Sequence, residues 1–291
     1  MAIHPTAVID KEAEIDPTVE IGPYVIVEGP VRIGANTKVY AHAYLSGWTT
    51  IGEGCEIHPF AVVGHLPQDF HFSGERSYCT VGNRVVMREG VTIHRGTQPE
   101  SSTIIGDECF LMVYAHVGHN CVLSKACAIH NNVALAGHVT VNERAIVAAH
   151  ALVHQFVRIG KLAFVAPNSR ITMDVPPFFM AFGESSIVHH NVVGMQRAGY
   201  STVEIREIRR SLQILYRSGT GFRSGVQELA SKVQTDAGRD LVEFLQAQTK
   251  RGICGASKGH RRRTKAALSE KLSEASDSPA GDNFSEDGNG E

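Results

Sequence analysis

The chain has 291 residues, 43% hydrophobic and 20% charged, an ordinary globular composition that excludes fibrous and wholly disordered classes. Its formal net charge of -2 supplies no chain-wide positive field, so nucleic acid is not expected as a partner. The N-terminus MAIHPTAVID shows no basic stretch followed by an apolar one, and no run approaches the roughly 18 apolar residues of a membrane span, so a cytoplasmic protein without stable membrane insertion is expected.

Counting in sixes from Ile3, an aliphatic residue or Met87 recurs as far as Ile171, and only Asp69, Glu75 and Pro99 break the series. Two residues before these positions the chain carries small or β-branched residues, as at Ala7, Val19, Val31, Thr37, Ala43, Cys55 and Ala61. A six-residue unit is too short for a helix-based repeat. It suits a short strand and a sharp corner, with one large and one small side chain turned inward. Three units then close a triangular coil of about 18 residues. The expected fold is an all-β left-handed parallel β-helix of hexapeptide repeats with an α-helical C-terminal domain. Glycine often follows the inward aliphatic, as at Gly22, Gly34, Gly106 and Gly118, where it is expected to relieve backbone strain at the corner.

Cys55, Cys79, Cys109, Cys121 and Cys127 all fall in the small inward slot and are read as buried hydrophobes rather than ligands; Cys254 alone lies outside the frame. The three breaks fall in two polar, turn-rich segments, about 65–80 and 95–103. Both are expected to be loops thrown out from the coil, and insertions in a solenoid commonly gather on a binding face.

After Ile171 the frame stops in DVPPFFMAFG, where consecutive prolines block further ladder pairing. Residues 200–219 then read as a helix, with Ser201 and Glu204 as a capping box, Gly219 as the C-terminal cap, and Ile205, Ile208, Leu212 and Leu215 on one face. Arg206, Arg210 and Arg217 form a basic stripe roughly opposite that face, either plain solvated surface or a dock for an acidic partner. One or two further helices are expected within 224–248. From about 251 a basic block precedes an acidic one, a composition expected to be disordered. The expected units are therefore a β-helix over 1–185, a helical domain over 186–250 and a charged tail over 251–291.

The unbroken frame from Ile105 to Ile171 stacks residues 18 apart at about 4.8 Å, the inter-strand spacing. One corner then brings Gly118, His119 and Asn120 under Ala136, Gly137 and His138, with His154, Gln155 and Phe156 above. Among 15 histidines, His119 stands out because it follows an inward valine by two, points outward by alternation, and has glycine on either side in space. An imidazole there suits general-base work near neutral pH, and Gly137 could bring a backbone N–H to a reacting carbonyl.

The frame, followed by HVGHN, NNVALAGHV, LVHQF, DVPPF and a helix ending LQILYRSG, with VTIHRGT and PQDFHFSGE before it, resembles the UDP-N-acetylglucosamine O-acyltransferases that open lipid A biosynthesis. The likeness covers about residues 1–219. It implies a homotrimer with active sites in clefts between neighbouring solenoids, an acyl carrier protein as the 3-hydroxyacyl donor, UDP-N-acetylglucosamine as acceptor, and no metal or cofactor. Carried over by motif, His119 is the general base and Gly137 the oxyanion donor. Asp69 resembles the sugar-binding aspartate; His71, His116, His138, His154 and Gln155 line the cleft; Asn191 and Arg197 meet the nucleotide; Pro167 lies along the acyl groove. The acidic carrier protein would give the arginine stripe a use. Departures from the family's pattern are Asn120 for an aspartate after the catalytic histidine, His71 for a lysine, Val193 and Ala198 for glutamate and arginine, and Pro167 for a glycine. Rival readings are an N-acyltransferase acting on a sugar-nucleotide amine, a hexapeptide-fold zinc enzyme using His94, His116 and His119, and a non-catalytic solenoid.

Overall fold

The computed structural model describes residues 2–219 and 221–256. Within them the repeat builds a left-handed parallel β-helix of three sheets, of 12, 9 and 8 strands, most strands only two to four residues long. Within the coils each strand pairs in parallel with its neighbour one coil away. His116, Ala134, Leu152 and Arg170 form one such column, and Val117, Leu135, Val153 and Ile171 the next. The inward aliphatics and the small residues between them are almost wholly buried: Val117, Cys121, Ile129, Val133 and Leu135 are all 0% exposed. Full burial of one such side chain stabilises by about 1.5–3 kcal/mol, repeated coil after coil. The five in-frame cysteines lie free in this core, Cys79 with its thiol pushed up to about 12 by burial alone.

The expected reason for the corner glycines is corrected. The left-handed backbone sits elsewhere, at the residue just before many of the small inward ones: Asn36, His42, Phe60, Tyr114, Asn120, His138 and Phe156 all have φ between 57° and 65°. Gly118 is required by space instead. A Cβ there would lie 2.8–2.9 Å from the backbone of Leu135, Ala136 and Gly137 on the next coil.

The two excursions span 66–77 and 95–101, between the strands Val62–His65 and Tyr78–Val81 and between Thr92–His94 and Ser102–Ile105. Across them Ile51 pairs with Val81 and Val81 with Ile105, in place of partners 18 apart. Both insertions are whole numbers of repeats, so the count in sixes passes through them undisturbed.

At the C-terminal end Phe179–Phe182 joins the coil, Ser186–His190 returns antiparallel to it, and four helices follow: α1 (Val192–Arg197), α2 (Thr202–Arg217), α3 (Phe222–Lys232) and α4 (Asp236–Gln246). The capping box of α2 is present, and Gly219 has φ of 80°. The expected boundary at 250 is corrected. Residues 251–256 belong to the fold, Gly255–Ala256 pairing with Ser186–Ile187 and Ile253 bridging to Asp174. The remainder of the charged tail, 257–291, lies outside the described residues. Cys254 is fully buried there, its thiol against the Met173 carbonyl at 3.3 Å.

Asp174 fastens this junction. It is 0% exposed, accepts from the Arg158 backbone N–H at 2.8 Å and from Arg158 Nε at 2.7 Å, and Arg158 in turn lies over the Phe244 ring of α4. Removing one member of a buried pair strands the other's charge. Asp174→Ala should therefore destabilise the protein by about 3–5 kcal/mol, measured as a shift in the denaturant unfolding curve, whereas exposed Arg170→Ala, which loses only a surface contact to Glu184, should shift it little.

Candidate active site

An open groove of about 390 Å³ runs across three coils beside the excursions, with Leu135, Ala136, Gly137, Leu152 and Val153 along its floor and His94, His116, His119, His154, Gln155 and Gln68 around it. His119 stands at its centre and is only 7% exposed. Its ring lies directly on Gly137. A Cβ at Gly137 would fall 2.3 Å from Nε2 and 2.4 Å from Cε1, so glycine is the residue that leaves room for the imidazole.

The other ring nitrogen is held from behind. Nδ1 lies 3.0 Å from Asn120 Oδ1, and that same oxygen accepts from the Thr97 backbone N–H at 3.1 Å and the Thr97 hydroxyl at 3.0 Å. An amide oxygen can only accept, so it fixes the proton of neutral His119 on Nδ1 and leaves the lone pair on Nε2. Asn120 itself has φ of 58°, a conformation asparagine tolerates well. Opposite Nε2, at 3.9 Å, stands Asp69 Oδ2, too far for a direct hydrogen bond and close enough for one hydroxyl set beside the two groups to reach both. Asp69 accepts from the His71 backbone N–H at 3.0 Å. That bond, and then the His71 side chain, holds its carboxyl below the usual carboxylate range.

Three neighbouring histidines are disfavoured from taking up a proton. Burial, reinforced by neighbouring imidazoles, lowers His94 to about 4, and burial also lowers His116 and His138. His94 and His116 meet edge to face at 5.0 Å, and Thr92 Oγ1 lies 2.7 Å from His116 Nδ1. Among the described residues no group of three or more His, Cys, Asp or Glu is arranged to hold a metal ion. His94 titrates at about 6.5 when unfolded, so the unfolded state binds the extra proton between pH 6.5 and 4. Stability is fully present above that window and falls by about 3 kcal/mol as pH drops through it. His94→Gln should lose correspondingly less on acidification, as denaturant unfolding at pH 7 and pH 4.5 would measure.

Of the residues singled out from sequence, His116, His119, Gly137, His154 and Gln155 line one groove, and Asp69 with His71 overhangs it. His138 lies beside the groove, its ring edge-on to His119 at 5.2 Å and stacked on Phe156 at 4.7 Å. Three others lie outside the lining in this chain. Asn191 is buried and caps α1, accepting from Gly194 N–H at 2.9 Å and donating to the Leu162 carbonyl at 2.9 Å. Arg197, on the last turn of α1, and Pro167 are both exposed. Sequence reasoning missed Gln68 and Thr97, both on the excursions, where no periodicity marks a side chain's direction. It assigned His94 only to the zinc reading.

The comparisons with known proteins agree with this architecture. The family model for UDP N-acetylglucosamine O-acyltransferase, domain 2, matches residues 174–254, and a bacterial transferase hexapeptide model matches 30–65. An acyl-[acyl-carrier-protein]--UDP-N-acetylglucosamine O-acyltransferase of Anaeromyxobacter is 44% identical over 256 residues, 87% of this chain and 99% of that one. The enzyme of the same name from Syntrophobacter fumaroxidans is 36% identical over the same coverage. The solved UDP-N-acetylglucosamine acyltransferase of Francisella novicida superposes with a TM-score of 0.84 at 30% identity, covering 88% of this chain and 95% of that one. With this identity extending across both the solenoid and the helices, the chain belongs to the UDP-N-acetylglucosamine O-acyltransferase family.

Proposed function

We propose that this acyltransferase moves a 3-hydroxyacyl group from an acyl carrier protein thioester to the 3-hydroxyl of UDP-N-acetylglucosamine, the opening step of lipid A biosynthesis. The observation that carries the reading is the His119 ring on bare Gly137, with Nδ1 against Asn120 and Nε2 facing Asp69. The sugar 3-hydroxyl sits beside Nε2 and Asp69, within reach of both, and gives its proton to Nε2 as its oxygen bonds to the thioester carbon. The Gly137 N–H steadies the tetrahedral oxyanion. Collapse breaks the carbon–sulfur bond, and the imidazolium returns the proton to the leaving thiolate. Neither a covalent enzyme intermediate nor a cofactor enters this sequence.

The outward side chains of Ala134 and Leu152 give the acyl chain an apolar surface to lie on, with exposed Pro167 on a later coil. His71, His154 and Gln155 bracket the sugar. Arg197 serves the nucleotide, and because it is exposed and stands away from the groove of its own chain, a homotrimer with shared clefts supplies it from a neighbour, while Asn191, its side chain committed to Leu162 and Gly194, holds the start of α1 in place. The exposed Arg206, Arg210 and Arg217 of α2 face an acidic carrier protein in a cytoplasmic enzyme. No described helix is long and apolar enough to cross a membrane.

The test is to offer a panel of 3-hydroxyacyl carrier proteins with UDP-N-acetylglucosamine or its 3-amino analogue and to analyse the product by mass spectrometry. An O-acyl product from one donor length supports the reading. Product only from the amine would make the enzyme an N-acyltransferase, and no product from any donor would overturn the assignment.

A further inference from the structure

The underside of the first excursion carries a stack of guanidinium groups and aromatic rings that the chemistry above does not use. Trp48, the chain's single tryptophan, meets two arginines, with Arg76 over its ring at 5.5 Å and Arg95 at 5.7 Å. Arg76 also lies over Tyr78 at 5.5 Å, and Arg95 over Phe72 at 5.6 Å. Trp48 and Tyr78 are register partners on adjacent coils, so this platform is part of the solenoid itself.

Arg95 is unusual. It is only 8% exposed, it has no carboxylate partner among the described residues, and its Nε is buried without a hydrogen bond. Gly47 leaves the space it occupies, since a Cβ there would lie 2.5 Å from Nη1. A cation taken out of water is costly unless something replaces its hydration, and here the faces of Trp48 and Phe72 are what it meets.

The stack reaches both halves of the site. Phe72 and Arg76 belong to the excursion 66–77 that carries Asp69, and Arg95 begins the excursion whose Thr97 fixes Asn120 behind His119. We propose that Trp48, with Arg76 and Arg95 over its ring, forms a positioning clamp that ties the 66–77 excursion to the solenoid and so holds Asp69 at its place over His119, setting the affinity for the acceptor sugar. The effect on the acceptor rests on the reading of Asp69 as a sugar-binding residue; the clamping does not.

Two measurements separate these parts. Trp48→Leu and Arg76→Met, the second altering an exposed side chain, are each compared with wild type by amide hydrogen exchange without substrate and by steady-state kinetics. Exchange over 66–77 should rise while the coils over 105–171 stay protected. The KM for UDP-N-acetylglucosamine should rise about tenfold for Trp48→Leu, with the KM for the acyl carrier protein donor unchanged, and Trp48→Phe should restore most of the loss. A plain folding defect would instead lower kcat alone or expose every coil. Unchanged exchange over 66–77 would overturn the clamp, and faster exchange with an unmoved acceptor KM would overturn its role in positioning Asp69. Should the wild type transfer no acyl group at all, the functional reading fails and the exchange measurement still decides the clamp.

Discussion

His119→Ala should lower acyl transfer about a thousandfold, within the 10²–10⁴ range typical of a positioned general base, while leaving the thermal melting curve close to that of wild type. The expectation follows from where the lone pair lies. Asn120 Oδ1 can only accept, so Nδ1 carries the proton and Nε2 is left free, facing the Asp69 carboxylate across a 3.9 Å gap. The flanking imidazoles of His94, His116 and His138 are held neutral by burial, so they place no competing positive charge beside the base. His119→Gln would keep an amide near Asn120 yet offer no base, and it should be as inactive as alanine. Initial rates with saturating donor, measured beside circular dichroism melts, check both variants.

Gly137→Ala should cost at least about a hundredfold, the scale expected when a reacting group is displaced by about 1 Å. A methyl group there would overlap Nε2 at 2.3 Å and Cε1 at 2.4 Å, and the ring has little freedom to yield because Asn120 holds Nδ1 and His138 packs edge-on against it. Because the clash is with a buried ring, unfolding should also shift, by about 1–3 kcal/mol as for other overpacked sites, so kcat is compared at temperatures where both proteins are fully folded. Comparing its kcat with that of Ala136→Gly, on the same coil beside the base, checks that the loss comes from contact with His119.

The path of the coil was legible because a period of six leaves one large inward side chain per strand, and that arithmetic alone puts His119 under Gly137 and Gln155. The same arithmetic could not measure the excursions. Insertions of whole repeats return the chain to its frame, so Asp69, Glu75 and Pro99 register as breaks without revealing where their loops fold back. Glycine misled for a related reason. At Gly118 the constraint is the backbone of the coil above, while the left-handed turn falls two residues on, at Asn120, where side chains from asparagine to phenylalanine are found in equivalent positions. Residues 251–256 were hidden by their shortness: RGICGA is too brief to show a period and runs straight into the charged block, so nothing in it marks that Ile253 and Cys254 pair with Asp174. Arg95 shows the limit most sharply. It follows an inward isoleucine by two, as His119 follows an inward valine, but nothing in VTIHRGT indicates that its guanidinium is buried between rings.

The most direct test of the account is a crystal structure of the protein with UDP-N-acetylglucosamine bound. The predicted result is a sugar 3-hydroxyl oxygen within hydrogen-bond reach, roughly 2.6–3.2 Å, of His119 Nε2, with the Asp69 carboxylate also within its reach and the nucleotide extending toward Arg197 of a neighbouring copy. A sugar nucleotide bound elsewhere, or bound in the groove with its 3-hydroxyl turned away from His119, would contradict it.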